Sequence, residues 1–296
     1  MSMDNVLITG ATGFLGSHLT EKLLEKGADV QIFVEKQENL GNIGHLKDDV
    51  KIIEGDITKP MQFDGVDIVF HFAAVANVGF AMENPKKTFE VNTFGTLNLL
   101  EALRDNNLEK FVFVSTSHVY GVPQYLPIDE GHPTNPSGPY AMSKLCAEKM
   151  VETYAIPFVI ARLFNIYGPR QNPDFVVPTI IGQATNKDVI ELGNLKSTRD
   201  FTYVDDVIEG LLVAAEKGNG VYNIGSGVET SILELVQSII QLFERDISIK
   251  SKSKRKRSKN VEIPRMVANT SRINGLGWKP RTSLKVGLEM TKEAMV

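Results

Sequence analysis

The feature that most constrains this chain lies at its start. The apolar run Val6-Leu7-Ile8-Thr9 feeds the turn Gly10-Ala11-Thr12-Gly13-Phe14-Leu15-Gly16, and a helical pattern follows. A short continuous apolar run reads as a buried strand, so the segment predicts a strand, a tight turn and a helix start. Glycine is required where backbone passes through positive φ or comes close to a ligand. Gly10, Gly13 and Gly16 divide those tasks between the turn, the approach of a pyrophosphate at the helix N-terminus, and close packing of helix on strand. The spacing is G-x-x-G-x-x-G rather than the commoner G-x-G-x-x-G, and three glycines alone would equally make a Gly-rich β-turn. Context favours a dinucleotide. Leu19, Leu23 and Leu24 keep a helical period, Gly27 caps it, and a second apolar strand from Val30 to Val34 delivers Glu35 where a carboxylate can hold ribose hydroxyls.

The same alternation continues to about residue 165. Strand-like runs fall at Val6 to Thr9, Val30 to Val34, Val50 to Glu54, Val66 to Phe70, Phe111 to Ser115 and Phe158 to Leu163, with helical segments between them. Strand and helix in alternation predict an α/β fold, a Rossmann-type doubly wound parallel sheet over residues 1–165, with a returning helix near 204–215. With 296 residues, 42% of them hydrophobic, the chain can bury a full core as one large domain or two smaller ones. It has no apolar run of about 18 residues to span a bilayer and no basic-then-apolar leader, so no membrane partner and a cytoplasmic location are expected. A single cysteine, Cys146, rules out an internal disulfide, five scattered histidines suggest no metal site, and a net charge of −4 gives no reason to expect nucleic-acid binding.

Several stretches leave two readings open. Val91, Phe94, Leu97, Leu100 and Leu103 spread their apolar surface more than halfway round a helix from Thr88 to Arg104; that surface is either buried in the monomer or partly a subunit contact. Asp56, after the third strand, either touches an adenine or forms a turn. His71-Phe72-Ala73-Ala74 ends the fourth strand with small residues that leave room for the middle of a cofactor, and His71 itself reads as a packed structural histidine. Past residue 165 the alternation breaks at Gly168-Pro169-Arg170-Gln171-Asn172-Pro173. A smaller substrate-binding lobe is predicted over 166–296, with a strand from Val221 to Ile224 and an amphipathic helix from Ser231 to Phe243 capped by Thr230 or Ser231. The basic run Lys250 to Lys259 reads as a solvated or phosphate-facing loop, and Arg265 just beyond it offers a fork suited to a diphosphate.

Tyr140-Ala141-Met142-Ser143-Lys144 places a phenol and an ammonium four residues apart, on one face of a helix. Bringing a phenol of pKa about 10 down to neutrality takes about 4 kcal/mol of differential stabilisation. The Lys144 cation and a positive nicotinamide ring can supply that in a site shielded from water, so Tyr140 can take a hydroxyl proton while hydride leaves the same carbon. Phe111 to Ser115 runs into Thr116-Ser117-His118, and a Thr116 hydroxyl at the end of that strand can hold the reacting oxygen near Tyr140.

Taken together, the turn Thr9 to Gly16, Asn92-Thr93-Phe94-Gly95-Thr96, the run Thr116 to Gly121, Tyr140 with Lys144, Arg162 to Arg170, Arg199 to Asp206 and Leu276 to Pro280 resemble the NAD-dependent epimerase/dehydratase family, the extended short-chain dehydrogenases/reductases that act on nucleotide-linked sugars. The resemblance implies NAD held by Gly10, Thr12, Gly13, Phe14, Leu15 and Gly16, with Glu35, Asp56 and Ile57 toward the adenosine and Phe72, Ala73, Ala74 and Asn92 beside the middle of the cofactor. Tyr140 becomes the base, Thr116 its partner, and Lys144 lies on the nicotinamide ribose. Ser117, Asn165 and Val177 would meet the nucleotide-diphosphate sugar, with the stretch Asp174 to Gly182 and the basic loop lining its pocket. Arg199 and Arg265 would clamp its phosphates. A homodimer through helices near 88–104 and 141–154 is also implied.

The departures from the family pattern bear on the reaction. Dehydratases of the family carry an acidic residue two places after the Thr116 position, often preceded by Asp, whereas this chain has Ser117 and His118. Ser117 suits the epimerases; His118 is either a general acid near neutral pH or a spectator. Glu35 stands one place beyond the acidic residue usual at the end of the second strand, and its carboxylate favours NAD, although Lys36 would tolerate NADP. The expected activity is 4-epimerisation of a nucleotide sugar, such as a UDP-sugar, through a transient 4-keto intermediate. The competing readings are a 4,6-dehydratase, a 4-keto-sugar reductase, and, from another class, a nucleotide-sensing protein without turnover.

Overall fold

A computed structural model that covers residues 4–36, 39–251 and 263–296 has twelve strands among those residues. In chain order they are β1 (Asn5–Thr9), β2 (Asp29–Val34), β3 (Lys51–Glu54), β4 (Ile68–His71), β5 (Lys110–Thr116), β6 (Phe158–Leu163), β7 (Asn165–Tyr167), β8 (Val189–Leu192), β9 (Thr198–Tyr203), β10 (Gly220–Ile224), β11 (Glu229–Ser231) and β12 (Ser248–Ser251). The helices are α1 (Phe14–Glu25), α2 (Val78–Glu83), α3 (Pro85–Phe89), α4 (Gly95–Ala102), α5 (Pro139–Thr153), α6 (Val176–Asn186), α7 (Val204–Lys217), α8 (Ile232–Ile240), α9 (Ser271–Asn274) and α10 (Leu284–Met295). None of the described helices is long and apolar enough to cross a membrane.

Among the described residues, seven strands form one sheet in the order β10-β6-β5-β4-β1-β2-β3, every neighbour parallel. Successive strand residues point to opposite faces, so each strand feeds two cores. Val6 and Ile8 pack with Leu19, Leu23, Val207 and Leu211 on the α1 and α7 side. Leu7, Val69, Phe111 and Phe113 pack with Leu99, Leu100, Ala147 and Val151 on the α4 and α5 side. β1 lies between β2 and β4, so the strand order reverses there. Open parallel sheets bind ligands in the crevice at the carboxyl end of such a reversal.

The structure moves three predicted features. The strand Val221 to Ile224, assigned to the smaller lobe, is β10 at the edge of the large sheet, in register with β6 from Gly220 opposite Val159. Its apolar face is buried there beneath α7, and Tyr222 and Ile224 join the core on that side. The single helix predicted from Thr88 to Arg104 is α3, a π-helical turn at Glu90–Phe94, and α4. Gly95 begins α4 because Ile57 lies against it, with Cγ2 at 3.0 Å from where a Cβ would stand. The amphipathic helix is α8, which stops at Ile240. Of the two possible caps, Ser231 is used, in a reciprocal capping box with Glu234.

Beyond the carboxyl edge sit a three-stranded sheet, β11-β9-β7, and the β12-β8 pair. The far C-terminal segment is fastened to the start of α7. Asp206 accepts from the backbone N–H groups of Arg281 and Thr282, and its own carbonyl accepts from the Trp278 indole at 2.9 Å. The basic run Lys250 to Lys259 lies outside the described residues from residue 252 onward.

Candidate active site

The turn after β1 is built for a close-lying anion. Gly10 has φ +73°, and a Cβ there would stand 2.8 Å from the Ala73 nitrogen; one on Gly16 would stand 2.1 Å from the Gly10 carbonyl oxygen. Those two glycines serve the protein's own packing. Gly13 differs, since a Cβ there would meet only the Gly10 carbonyl oxygen at 3.3 Å. Its outer side is open, and α1 begins directly after it with no side chain capping the first turn. Exposed N–H groups and the helix dipole at that point suit a pyrophosphate. Glu35 follows the last residue of β2, and Phe72, Ala73 and Ala74 follow β4, all half-buried or exposed along one edge. An uncapped helix start at Gly13, a carboxylate at the end of β2 and small residues after β4 fit a dinucleotide.

Three of the residues expected at the cofactor are engaged within the protein. The Asp56 carboxylate accepts from the backbone and the hydroxyl of Thr58, both at 2.8 Å, and these bonds hold its pKa below the usual carboxylate value. The turn-forming reading is therefore the geometry seen. Ile57 is buried under α4, with its carbonyl accepting from Asn98. Asn92 is buried too; its side chain bridges both backbone groups of Val75, accepting at 2.7 Å and donating at 3.1 Å, and so shapes the loop after β4 from behind.

Helix α5 opens at Pro139, which presets the first helical φ and lacks the donor that would go unpaired there. Tyr140 and Lys144 then lie one turn apart on one face. The Thr116 hydroxyl, at the end of β5, is within hydrogen-bond reach of the Tyr140 phenol. That same oxygen accepts from the His118 N–H at 3.2 Å, which fixes where it points. Lys144 is only 2% exposed, with Nζ 4.0 Å from the centre of the Phe113 ring. Burial pulls its pKa down to about 7, opposed by the charge of Glu148 one turn further along α5.

The expected acidification of Tyr140 by Lys144 is not present in the protein alone. Burial pushes the phenol pKa up, and the opposing influence is the Thr116 hydrogen bond. The Lys144 ammonium sits over Phe113 in a pocket that disfavours its own charge, and it is burial and Thr116 that act on the phenol. The position of Tyr140 in the first turn of α5 still favours phenolate through the helix dipole.

Beneath this pair lies an ion pair that sequence reading did not find. Glu148 is fully buried, and Arg162 grips it through Nε at 3.1 Å and Nη2 at 2.7 Å. Ser115 donates to the same carboxylate in a short bond, and the Arg162 guanidinium covers the Tyr120 ring. His71 is buried as well, and burial together with the Lys144 charge holds its pKa well below the usual value, so it is a neutral packed residue.

On the substrate side, His118 places its ring 6.2 Å from that of Tyr140, edge to face. Ser117 points its hydroxyl to the Met266 sulfur at 3.0 Å. Asn165 opens β7 and is half-buried. Val177 is 1% exposed and belongs to the core on the α7 side, so its side chain is packing rather than pocket lining. Arg199 directs Nη1 to the Thr198 carbonyl at 2.6 Å. Arg265 is exposed, but two of its donors are engaged by Glu229 at 2.7 and 2.6 Å, which keeps that carboxyl below its usual pKa. A groove of about 450 Å³ beside it is lined by Val122, Tyr125, Pro264 and Arg265 among others. Asp200 fastens this region: it accepts from the N–H groups of Ser226, Gly227 and Ala268 and from the Ser226 hydroxyl. Among the described residues no three His, Cys, Asp or Glu side chains gather where they could hold a metal ion.

Glu229 and Asp200 are thus the residues that place Arg265 and its segment. Asp200 sat in view in the run Arg199 to Asp206; Glu229, 36 positions before Arg265, had no local signal.

Residues 7–291 match the family model described as GDP-mannose 4,6 dehydratase. The dTDP-D-glucose 4,6-dehydratase of Homo sapiens is 34% identical, over 97% of this chain and 89% of that one. The UDP-N-acetylglucosamine 4-epimerase of Methanobrevibacter ruminantium, solved with UDP-N-acetylmuramic acid, superposes with a TM-score of 0.90 at 29% identity, covering 99% of this chain and 98% of that one. The UDP-glucuronic acid 4-epimerase of Bacillus cereus, solved with UDP-glucuronic acid and NAD, gives 0.87 at 30% identity over 98% of each chain.

Proposed function

The chain belongs to the NAD-dependent epimerase/dehydratase family, and from that membership we propose that it is an NAD-dependent nucleotide-sugar 4-epimerase acting on a UDP-sugar. The observation that carries the reaction type is the Thr116 and Tyr140 hydroxyl pair one turn from a buried Lys144, with Ser117 and His118 where the family's dehydratases have acidic residues. The two solved relatives described above act at C4 of UDP-sugars, which supports the substrate class.

NAD bound along the carboxyl edge supplies a reversible acceptor for hydrogen from C4 of the sugar. Tyr140 takes the proton of the 4-hydroxyl and later returns it, so the chain consumes no base over a cycle. Thr116 holds that hydroxyl in line with the phenol, and its own orientation is set by the His118 N–H. Lys144, kept as an ammonium, favours the phenolate. Arg199 and Arg265 take the diphosphate, and Glu229 holds the Arg265 fork so that its remaining donors face the ligand. His118 stands close enough to the reacting end to act as a general acid, the role a dehydratase would require. A homodimer forms through the α3-α4 and α5 helices, which expose Phe94 at 54% and Met142 at 41%.

The test is an assay of purified protein on UDP-glucose, UDP-N-acetylglucosamine and UDP-glucuronic acid with no added cofactor. The 4-epimer is expected. A product lighter by one water identifies a dehydratase, and a requirement for stoichiometric reduced nicotinamide identifies a reductase. His118→Ala is expected to cause a modest loss; near-complete loss of turnover with NAD still bound would instead favour dehydration.

A further inference from the structure

Four elements meet at the carboxyl edge through one buried chain of hydrogen bonds. Thr9 ends β1, next to the glycine turn, and its hydroxyl lies 2.6 Å from His71 Nδ1 at the end of β4. His71 Nε2 lies 2.8 Å from the Thr96 hydroxyl, which donates to the Asn92 carbonyl at 2.7 Å. The run then passes covalently through Asn92, from that backbone carbonyl to the side chain, whose Nδ2 donates to the Ser143 hydroxyl at 3.0 Å, and that hydroxyl donates to the Tyr140 backbone carbonyl at 2.8 Å. His71, Thr9, Thr96 and Ser143 are all fully buried, and Asn92 is 1% exposed.

The chain has one direction. A hydroxyl has a single proton, and Thr96 spends its own on the Asn92 carbonyl, so it can only accept from His71. Nε2 therefore carries the imidazole hydrogen. The ring is neutral, since it is buried against the Lys144 cation, so Nδ1 must accept. Thr9 then gives its proton to Nδ1 and keeps a lone pair for the Ala73 N–H at 3.2 Å. Every joint is satisfied in this direction, whereas the reversed imidazole sets lone pairs of Nε2 and Thr96 face to face, or takes the Thr96 proton from the Asn92 carbonyl, and leaves the Thr9 proton with no acceptor among the described bonds.

We propose that His71 is a positioning residue: it links the dinucleotide turn to the first turn of the catalytic helix, fixing where the Tyr140 phenol stands relative to the cofactor. The proposal rests on the reading of Tyr140 as the base. The geometry explains why an imidazole is used. A neutral imidazole offers one acceptor and one donor at fixed spacing, and here it spans from Thr9 on β1 to Thr96 on α4. A second tie, from the Thr93 hydroxyl to the Ser143 carbonyl at 2.9 Å, runs in parallel, so cutting the chain loosens α5 without releasing it.

The test uses Thr96→Val, Ser143→Ala and the double variant, with turnover and nucleotide-sugar KM measured on the intact enzyme. Each single change is expected to lower kcat by about tenfold to a hundredfold, the scale of a misplacement near 1 Å, with KM within about twofold. Thr96 and Ser143 act through the same chain, so the double variant should be no slower than the poorer single one. Losses that multiply, or a Thr96→Val enzyme with unchanged kcat, overturn the proposal. A second measurement needs no variant: nitrogen-15 NMR of the wild-type histidines, five in the chain, should show one neutral ring protonated at Nε2 and unchanged through the neutral range. A His71 ring protonated at Nδ1 also overturns it. If Tyr140→Phe turns over like wild type, the catalytic reading fails and the proposal falls with it. If that variant is inactive, additive losses defeat the relay alone.

Discussion

Replacing Lys144 by Met tests the electrostatics of the site through stability rather than turnover. The side chain is 2% exposed, and burial takes its pKa from 10.5 to about 7. Three and a half decades at about 1.4 kcal/mol each put the cost of keeping this ammonium folded at about 5 kcal/mol. Lys144 titrates lower in the folded protein than in the unfolded chain, so between about pH 7 and 10.5 the unfolded chain binds the extra proton and stability rises with pH. Met fills nearly the same space and carries no proton. The variant should therefore be the more stable protein near pH 6, and its advantage should shrink by about 3 kcal/mol by about pH 9.5. The contact of the charged side chain with Phe113, worth about 0.5–2 kcal/mol, is already part of the folded-state pKa: it trims the variant's advantage near pH 6 and is gone by about pH 9.5, where Lys144 is a neutral amine. The assay is urea unfolding of nucleotide-free wild type and Lys144→Met at the two pH values. Curves that differ by a constant would refute the reasoning and mean that the ammonium is solvated or paired in the folded state.

Four further outcomes follow from the same geometry. Gly13→Ala should still fold, its Cβ meeting the Gly10 carbonyl oxygen at 3.3 Å, and should lose dinucleotide affinity, measured by calorimetry, because the methyl crowds the turn proposed to hold the pyrophosphate; Gly16→Ala should fail to fold, its Cβ standing 2.1 Å from a carbonyl oxygen. Glu148→Gln should cost about 3–5 kcal/mol in urea unfolding, since it strands the Arg162 charge, whereas Glu148→Gln with Arg162→Met should recover part of that loss. Tyr140→Phe should retain bound NAD and lose about a hundredfold to ten-thousandfold in kcat. Phe94→Glu should halve the mass measured by light scattering, given its 54% exposure on the proposed dimer face.

What could be read along the chain was whatever local periodicity encodes. The three glycines imply a turn because backbone conformation is a property of one residue and its neighbours, and Tyr140 with Lys144 share a face because helical pitch fixes positions four apart. Five of the six strands up to residue 165 were legible for the same reason: a buried parallel strand is apolar throughout, wherever it goes in the sheet; β3, the exposed edge strand, was legible from its place in the alternation. The family's motifs then supplied the chemistry.

Tertiary structure alone decided which distant groups meet, because pairing across a sheet or between lobes leaves no periodic trace in either partner. Val221 to Ile224 is as apolar as a lobe strand would be, and only the vacant edge beside β6 makes it part of the large sheet. Val177 carries no mark that distinguishes a pocket wall from a core, and packing of α6 buried it. Glu229 meets Arg265, Glu148 meets Arg162, and His71 joins Thr9 to Thr96 across separations that helix and strand periods do not reach. The sequence determined a Rossmann-type sheet with a phenol and a lysine on one face of one helix; the fold determined the charge each of them bears, since burial and charged neighbours set a pKa and both are long-range quantities.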